Sequence, residues 1–148
     1  MVHELKSAGL DAHGAEATSL LNPDDYDAVV IGSPIYGSKW LAAAGMFAAI
    51  TSERINGKPV ALFSVGTLSL NNPEAGEREH RDFVDNLSEV APNLNIVSNA
   101  LFSGYFERSN LPWYLRIIDR FAPTPQGDYR DWRSIQSWTK SLVSKFTD

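Results

Sequence analysis

Residues 25–40 read DYDAVVIGSPIYGSKW, and the fold is decided there. Asp27 ends a polar lead-in, Ala28, Val29, Val30 and Ile31 form an unbroken apolar run, and Gly32, Ser33 and Pro34 are expected to stop it. An apolar run without alternation predicts a strand covered on both faces, as in a parallel sheet. The loop that follows is built from small residues and tipped with aromatics. Gly32 and Gly37 let backbone approach a ligand or take positive φ, and Tyr36 and Trp40 supply rings. At the carboxyl end of a buried strand such a loop suits a flat heteroaromatic ligand; an ordinary turn with two surface or core aromatics is the alternative reading.

Working outward, the same unit repeats. Before it, Val2 and Leu5 share one face of a helix end that Gly9 stops, residues 15–21 carry a weak strand pattern, and Asn22, Pro23 and Asp24 make a turn. After it, residues 41–51 place Leu41, Met46, Phe47 and Ile50 on one helical face, and Asn56-Gly57-Lys58 turns the chain into a second apolar strand, 60–65, opened by Pro59 and interrupted only by Ser64. Residues 66–73 repeat the position of the first loop. Residues 74–90 set Phe83, Leu87 and Val90 against the charges Glu77, Arg78, Glu79, Arg81 and Asp82, the pattern of a helix packed on a sheet. A strand is expected over 94–102, an amphipathic aromatic helix over 111–121, and a last helix over 131–146 whose Trp132, Ile135, Trp138 or Thr139, Leu142 and Phe146 read as core. Strands alternating with helices at this spacing imply right-handed crossovers and a mostly parallel, doubly wound α/β sheet with helices on both faces. Both loops then lie at carboxyl strand ends, where such sheets bind ligands.

A length of 148 residues suits one domain, residues 1–148, with a core of its own. A net charge of -5 argues against a nucleic-acid surface, and the absence of cysteine removes disulfides, thiolate chemistry and Cys-ligated metals. The opening residues have no signal-peptide pattern and no apolar stretch approaches the ~20 residues of a spanning helix, so a cytoplasmic protein with at most peripheral membrane contact is expected. His3, His13 and His80 lack metal-ligand spacing and read as solvated surface residues. No Ser-His-Asp set or nucleophile elbow is visible, Ser33 and Ser64 lacking the flanking glycines. A phosphate-receiver domain would want an Asp where Gly32 and Ser33 stand.

Three stretches carry a family resemblance: YDAVVIGSPIYGSKW from Tyr26, LFSVGTLSLNNPEAG from Leu62, and DYRDWRSIQSWTKSL from Asp128, this last preceded by PWYLRIIDRF from Pro112. The first two resemble flavodoxins at large. The last is similar to the flavodoxin-type, menaquinone-dependent protoporphyrinogen IX dehydrogenases. The resemblance implies FMN as cofactor, held by Ser33, Pro34, Ile35, Tyr36, Gly37 and Trp40 on one side and by Gly66, Thr67, Leu68, Ser69, Leu70 and Asn71 on the other. Tyr36 and Trp40 would lie near the isoalloxazine, and the second loop would bond its pyrimidine edge. It also implies an oxidoreductase passing electrons from a porphyrinogen through FMN to a quinone, with the cofactor carrying the chemistry and no protein catalytic residue. In residues 106–121, Arg108, Arg116 and Arg120 among aromatics could meet porphyrin propionates or anionic headgroups, with packing against the sheet or a dimer partner as the alternative reading. Flavodoxins open with a strand and a Ser/Thr-rich phosphate loop, and this sequence begins after them with no Gly-rich substitute. The expectation is therefore a flavodoxin-like sheet lacking its first strand, from a truncated or mis-started reading frame. The alternatives are a simple electron-carrier flavodoxin and a flavin-free interaction domain that forms homo-oligomers through the gap.

Overall fold

The computed structural model describes residues 1–17, 22–36, 39–55, 57–66, 72–107, 109 and 126–147. Its centre is a four-stranded sheet of order β2-β1-β3-β4, with β1 Val29–Tyr36, β2 Lys39–Trp40, β3 Pro59–Gly66 and β4 Asn95–Ser103. β1, β3 and β4 are parallel, and β2 turns back antiparallel on the end of β1, pairing Ile35 with Trp40 and Tyr36 with Lys39. A second ribbon pairs β5 Tyr105–Phe106 with β6 Gly127–Asp128. Four helices complete the described chain: α1 Val2–Ser7, α2 Ala42–Arg54, α3 Pro73–Val90 and α4 Trp132–Thr147.

The expected stop at Gly32-Ser33-Pro34 is not where β1 ends. The strand continues in register through Gly32↔Phe63, Ser33↔Ser64 and Pro34↔Val65 to Tyr36. Gly32 leaves room for the far end of the Phe63 ring; a Cβ at Gly32 would stand 1.9 Å from Phe63 Cζ. Ser33 is buried, its hydroxyl donating to its neighbour's Pro34 carbonyl and accepting from the amide of Leu41. Small residues here serve close packing and a latch, as well as a loop.

The two faces of the sheet are filled differently. Ile31, Val60 and Leu62 meet Ala44, Phe47, Ala48 and Ile55 of the α2 layer and Leu87 and Ala91 of the α3 layer in one apolar core that also holds Trp40. On the opposite face Phe63, Phe102 and Trp138 of α4 pack edge to face, with centroids 5.5–6.1 Å apart, and Trp138 Nε1 donates to Ser98 Oγ at 3.1 Å. α1 packs beside α4, and Lys140 Nζ lies 3.7 Å from Glu4 Oε2. The helix that opens the chain ends as the sequence implies: Gly9 adopts φ 91°, its amide donates to Lys6 O, and the amide of Leu10 donates to Leu5 O, which also accepts from Ala8.

Four side chains depart from the expected faces. Leu41 and Met46 are 47% and 66% exposed, although Phe47 of the same expected stripe is buried. Val90 is 65% exposed because the inner stripe of α3 runs Gly76, His80, Leu87 and on to Ala91, which takes the slot Val90 was given. Trp132 is 55% exposed, since it opens α4 and stacks on Arg130 instead of on the sheet, while Thr139 and Leu142 are buried as expected. Of the strand pattern over 15–21, residues 15–17 are not a strand and the remainder lies outside the described residues, as does the aromatic helix expected over 111–121.

Gly32→Ala is expected to destabilise the fold by roughly 1–3 kcal/mol in urea unfolding, the usual range for overpacking a filled site. Phe63→Leu in the same chain removes the ring that blocks the new methyl and should recover part of that loss. A Gly32→Ala protein as stable as the parent would show that the ring is not held over the glycine.

Candidate functional site

Because β1, β3 and β4 are parallel and in register, their carboxyl ends stand level, with Pro34 opposite Val65 and Gly66 opposite Ser103. The two segments that the sequence singled out for a ligand adjoin this rim: β1 ends at Tyr36, where β2 turns back at Lys39, and the neighbouring β3 ends at Gly66. At Gly66 a Cβ would come into ordinary van der Waals contact with Ile35, whose Cδ1 would be 3.9 Å away, so Ile35 and Gly66 are neighbours where the two strands end. Of the other expected site residues, Gly37, Thr67, Leu68, Ser69, Leu70 and Asn71 lie outside the described residues, and for Tyr36 only the backbone is described.

Trp40 is held in a way the sequence did not suggest. Its ring is turned inward and buried, stacked on Phe83 of α3 with centroids 4.2 Å apart and planes 18° from parallel. Its Nε1 donates to Ser64 Oγ at 2.8 Å. The ring therefore does not stand open beside the strand ends; it anchors the hairpin to β3 and α3 from beneath. Ser33 does the same for the far side of the hairpin through the Leu41 amide, 3.0 Å away.

Ser64 is fully buried and joins a second partner. His80 Nδ1 lies 3.0 Å from Ser64 Oγ, and His80 Nε2 lies 3.2 Å from Asn99 Oδ1 of β4. The expectation that His80 is a solvated surface residue is overturned: it is 6% exposed, in the middle of a helix whose flanking charges face outward. The cause is helical spacing, since His80 falls on the inner stripe between Gly76 and Leu87. An indole nitrogen can only donate, so Ser64 accepts from Trp40 and has its own proton for His80 Nδ1; the ring then carries its proton on Nε2 and donates to Asn99. One neutral tautomer satisfies every member. Burial accordingly lowers the pKa of His80 from 6.5, against a smaller upward pull from Asn99. A Ser-His pair thus exists that the sequence did not reveal, but the hydroxyl is sealed in the core and no substrate carbonyl can reach it. The signals available were Ser64, the lone polar residue in an apolar strand, and the apolar stripe of α3, which continued backward by one turn lands on His80.

Around the rim, the β5–β6 ribbon is hung from the same strand ends: the amide of Gly104 donates to Gly66 O at 3.3 Å and that of Tyr129 to Gly104 O at 3.2 Å. On it Asp128 grips Arg130 through two bonds of 2.8 and 2.6 Å, and the guanidinium lies 5.8 Å from the Tyr105 centroid and 5.0 Å from that of Trp132. The paired guanidinium holds the Asp128 carboxyl down to about 2. Two depressions flank α3. A groove of about 690 Å³ follows the α2–α3 seam from Lys39 and Leu41 to Val90 with Trp40 and Phe83 in its lining, and a cleft of about 520 Å³ between α3 and β4 is lined by Glu77, His80, Arg81, Asn99 and Ser103. Neither is lined by Ile35 or Gly66. Among the described residues no group of His, Asp or Glu side chains could hold a metal ion, and no helix is long and apolar enough to cross a membrane.

The flavodoxin domain family matches residues 3–131, most of the chain. This chain belongs to the flavodoxin family. None of the curated proteins matches it. A solved flavoprotein in complex with FMN, from Lactobacillus acidophilus NCFM, is similar at 16% identity and a TM-score of 0.40, over 68% of this chain and 59% of that one. The family accords with the parallel sheet and with helices on both of its faces.

Because folding buries His80 in its neutral form, the unfolded chain takes up a proton at a higher pH than the folded one. Stability is therefore full above pH 6.5 and falls as the pH drops through that value towards the lowered pKa of the native ring. His80→Gln, which cannot titrate, should flatten the part of the urea-midpoint curve lying just below pH 6.5 relative to the parent. Parallel curves for the two proteins would show that His80 titrates alike in both states.

Proposed function

We propose that this chain binds FMN at the rim formed by the ends of β1 and β3 and acts in electron transfer. The observation that supports it is the pairing of two adjacent, level strand ends, one carrying the 36–40 hairpin and the other opening at Gly66, in a chain of the flavodoxin family. Open sheets of this kind take planar ligands beyond the carboxyl ends of their strands. Ile35 and Gly66 stand side by side where the two strands end, and the absence of a side chain at Gly66 suits a flat ring brought close to backbone.

In this reading Ser33, Pro34, Ile35, Tyr36, Gly37 and Trp40 form one wall and Gly66, Thr67, Leu68, Ser69, Leu70 and Asn71 the other. Trp40 and Ser33 contribute from behind by fixing the hairpin. When bound, FMN supplies the redox chemistry, and the protein orients the ring, limits water and sets the hydrogen bonds around it. The finer assignment, oxidation of a porphyrinogen with a quinone as acceptor, rests on the resemblance of residues 112–121 and 128–142. The exposed pile of Tyr105, Arg130 and Trp132 beside Gly104 offers aromatic surface next to the rim for such a substrate.

A second reading has an observation of its own. Among the described residues, the outer edge of β1 over residues 29–34 has no strand partner, and an unpaired edge invites a strand from another chain. A flavin-free domain that self-associates there would appear as a dimer in light scattering without added FMN.

Titration of the chain with FMN and, separately, riboflavin decides between these readings. Saturable quenching of flavin fluorescence by both ligands is expected from a ring site at the two strand ends. Quenching by FMN alone would move the main determinant to the phosphate, and quenching by neither would remove the flavin reading. Anaerobic reduction of the bound flavin by protoporphyrinogen, with NAD(P)H as the comparison, then tests the substrate assignment.

A further inference from the structure

The seam between α2 and α3 leaves large apolar side chains in solvent. Among the described residues six such side chains are exposed, and three of them, Leu41, Met46 and Val90, stand on this side of the molecule. Leu41 and Val90 line the groove of about 690 Å³ together with the stacked Trp40 and Phe83, and Met46 follows Gly45, which lines it too. From Ala42 to Ser52 α2 carries no charged residue, and a helix without a polar face is ordinarily covered on all sides. Gly45 is the sharper sign. It lies inside α2, where glycine costs helix stability relative to alanine, and a Cβ built there would meet nothing within 4 Å. Nothing within the chain calls for the missing side chain; a surface coming close from outside would.

We propose that this groove docks an amphipathic helix of another protein, one with an apolar stripe and a basic flank. Grooves of this kind take apolar anchors spaced i, i+3, i+4 and i+7 along the docked helix. From Ala75 to Val90 the α3 wall runs about 22 Å at the rise of an α-helix, room for about four turns. α3 also sets the charge. Its 18 residues carry six carboxylates against two guanidiniums, which is -4 of the chain's -5. The groove itself is balanced, Glu79 and Asp82 against Lys39 and Arg78, and among the described residues none of these four is in an ion pair. Glu79 and Asp82, three positions apart, share one side of α3 and offer a docked Lys or Arg two unpaired carboxylates. The sign of the partner is set by the rest of the helix, whose exposed Glu74, Asp85 and Glu89 make its outer face acidic. A second copy would bring α3 against α3, like charge against like, and an anionic membrane would meet the same repulsion. The inference does not depend on the flavin reading, since neither Ile35 nor Gly66 lines the groove.

The test uses the full chain and a labelled synthetic helix of about 16 residues, long enough for the groove, with Leu at i, i+3, i+4 and i+7 spacing and Lys on both flanks. A second peptide carries Glu in place of Lys. In fluorescence anisotropy the Lys peptide is expected to bind saturably, and the Glu peptide about tenfold more weakly or worse. Gly45→Leu puts a side chain into the groove and should weaken Lys-peptide binding about tenfold or more. Its urea midpoint should stay at or above that of the parent, because the helix loses a glycine and the space is open. Glu79→Lys should weaken binding about fivefold, the upper range for a single exposed pair. Glu77→Lys makes the same change of net charge on the other flank of α3, where Glu77 lines the cleft beside β4, and should leave the affinity nearly unchanged. No saturable binding by the Lys peptide overturns the inference. Binding that ignores Gly45→Leu, or that Glu77→Lys weakens as much as Glu79→Lys does, also overturns it, the attraction then being one of charge alone. A chain that is dimeric in light scattering and monomeric as Gly45→Leu gives the groove to a second copy and overturns it as well.

Discussion

The buried hydroxyl of Ser64 is the constraint to which one whole side of the molecule answers. β3 is the middle of three parallel strands, flanked by β1 and β4, and Val60, Ala61, Leu62 and Ser64 are all without solvent contact. A hydroxyl in that position costs roughly 1–3 kcal/mol if unpaired. Its two partners come from different elements, the indole of Trp40 and the imidazole of His80. Supplying them requires that the hairpin turn inward and that α3 present a polar residue on its apolar stripe. Phe83 then closes over Trp40, and the α2–α3 seam follows. One polar atom in the core thus specifies how the hairpin, the sheet and a helix meet, which apolar packing alone would leave less defined.

The opposite face shows what the sheet does without such an atom. Phe63, Phe102 and Trp138 fill it with rings edge to face, and a polar contact of Trp138, to Ser98, lies at the partly buried margin. Space for these rings comes from Gly32, whose missing side chain is where Phe63 lies. The same glycine that the sequence offers as a loop residue is thereby a packing residue in the strand, and the strand is longer for it. Glycine followed by serine and proline reads as a break when only local preference is considered. Pairing opposite Phe63, Ser64 and Val65 overrides that preference, because a parallel partner is already in register on that side.

Legibility in the sequence divides along this line between local and tertiary causes. The strands β1, β3 and β4, the helices between them and the Gly9 stop are local patterns, and each was readable from apolar runs, helical spacing or a single glycine. Their parallel arrangement followed from alternation alone. The direction in which a side chain at an element's edge points was not readable. Trp40 and Trp132 are both aromatic residues next to a helix start, yet one is drawn into the core by Ser64 and Phe83 and the other is kept outside by Arg130. His80 was misjudged for the same reason: surrounded by Glu77, Arg78, Glu79, Arg81 and Asp82 it looks solvated, and only the stripe through Gly76 and Leu87 puts it inside.

The rim is where these two kinds of information meet. Alternating strands and helices determine that the ends of β1 and β3 are neighbours. What holds each loop in place is tertiary. The first is tied down at Ser33 and Trp40, and the second leaves a strand whose Gly66 carbonyl accepts the amide of Gly104. That bond brings the β5–β6 ribbon up to the same edge, with Tyr105, Arg130 and Trp132 on it. Asp128 restrains Arg130 with two bonds, so its guanidinium charge is already paired and the pile offers a neighbouring molecule ring faces more than a free cation. That surface presents ring faces beside the strand end at Gly66, to which the ribbon is tied through Gly104.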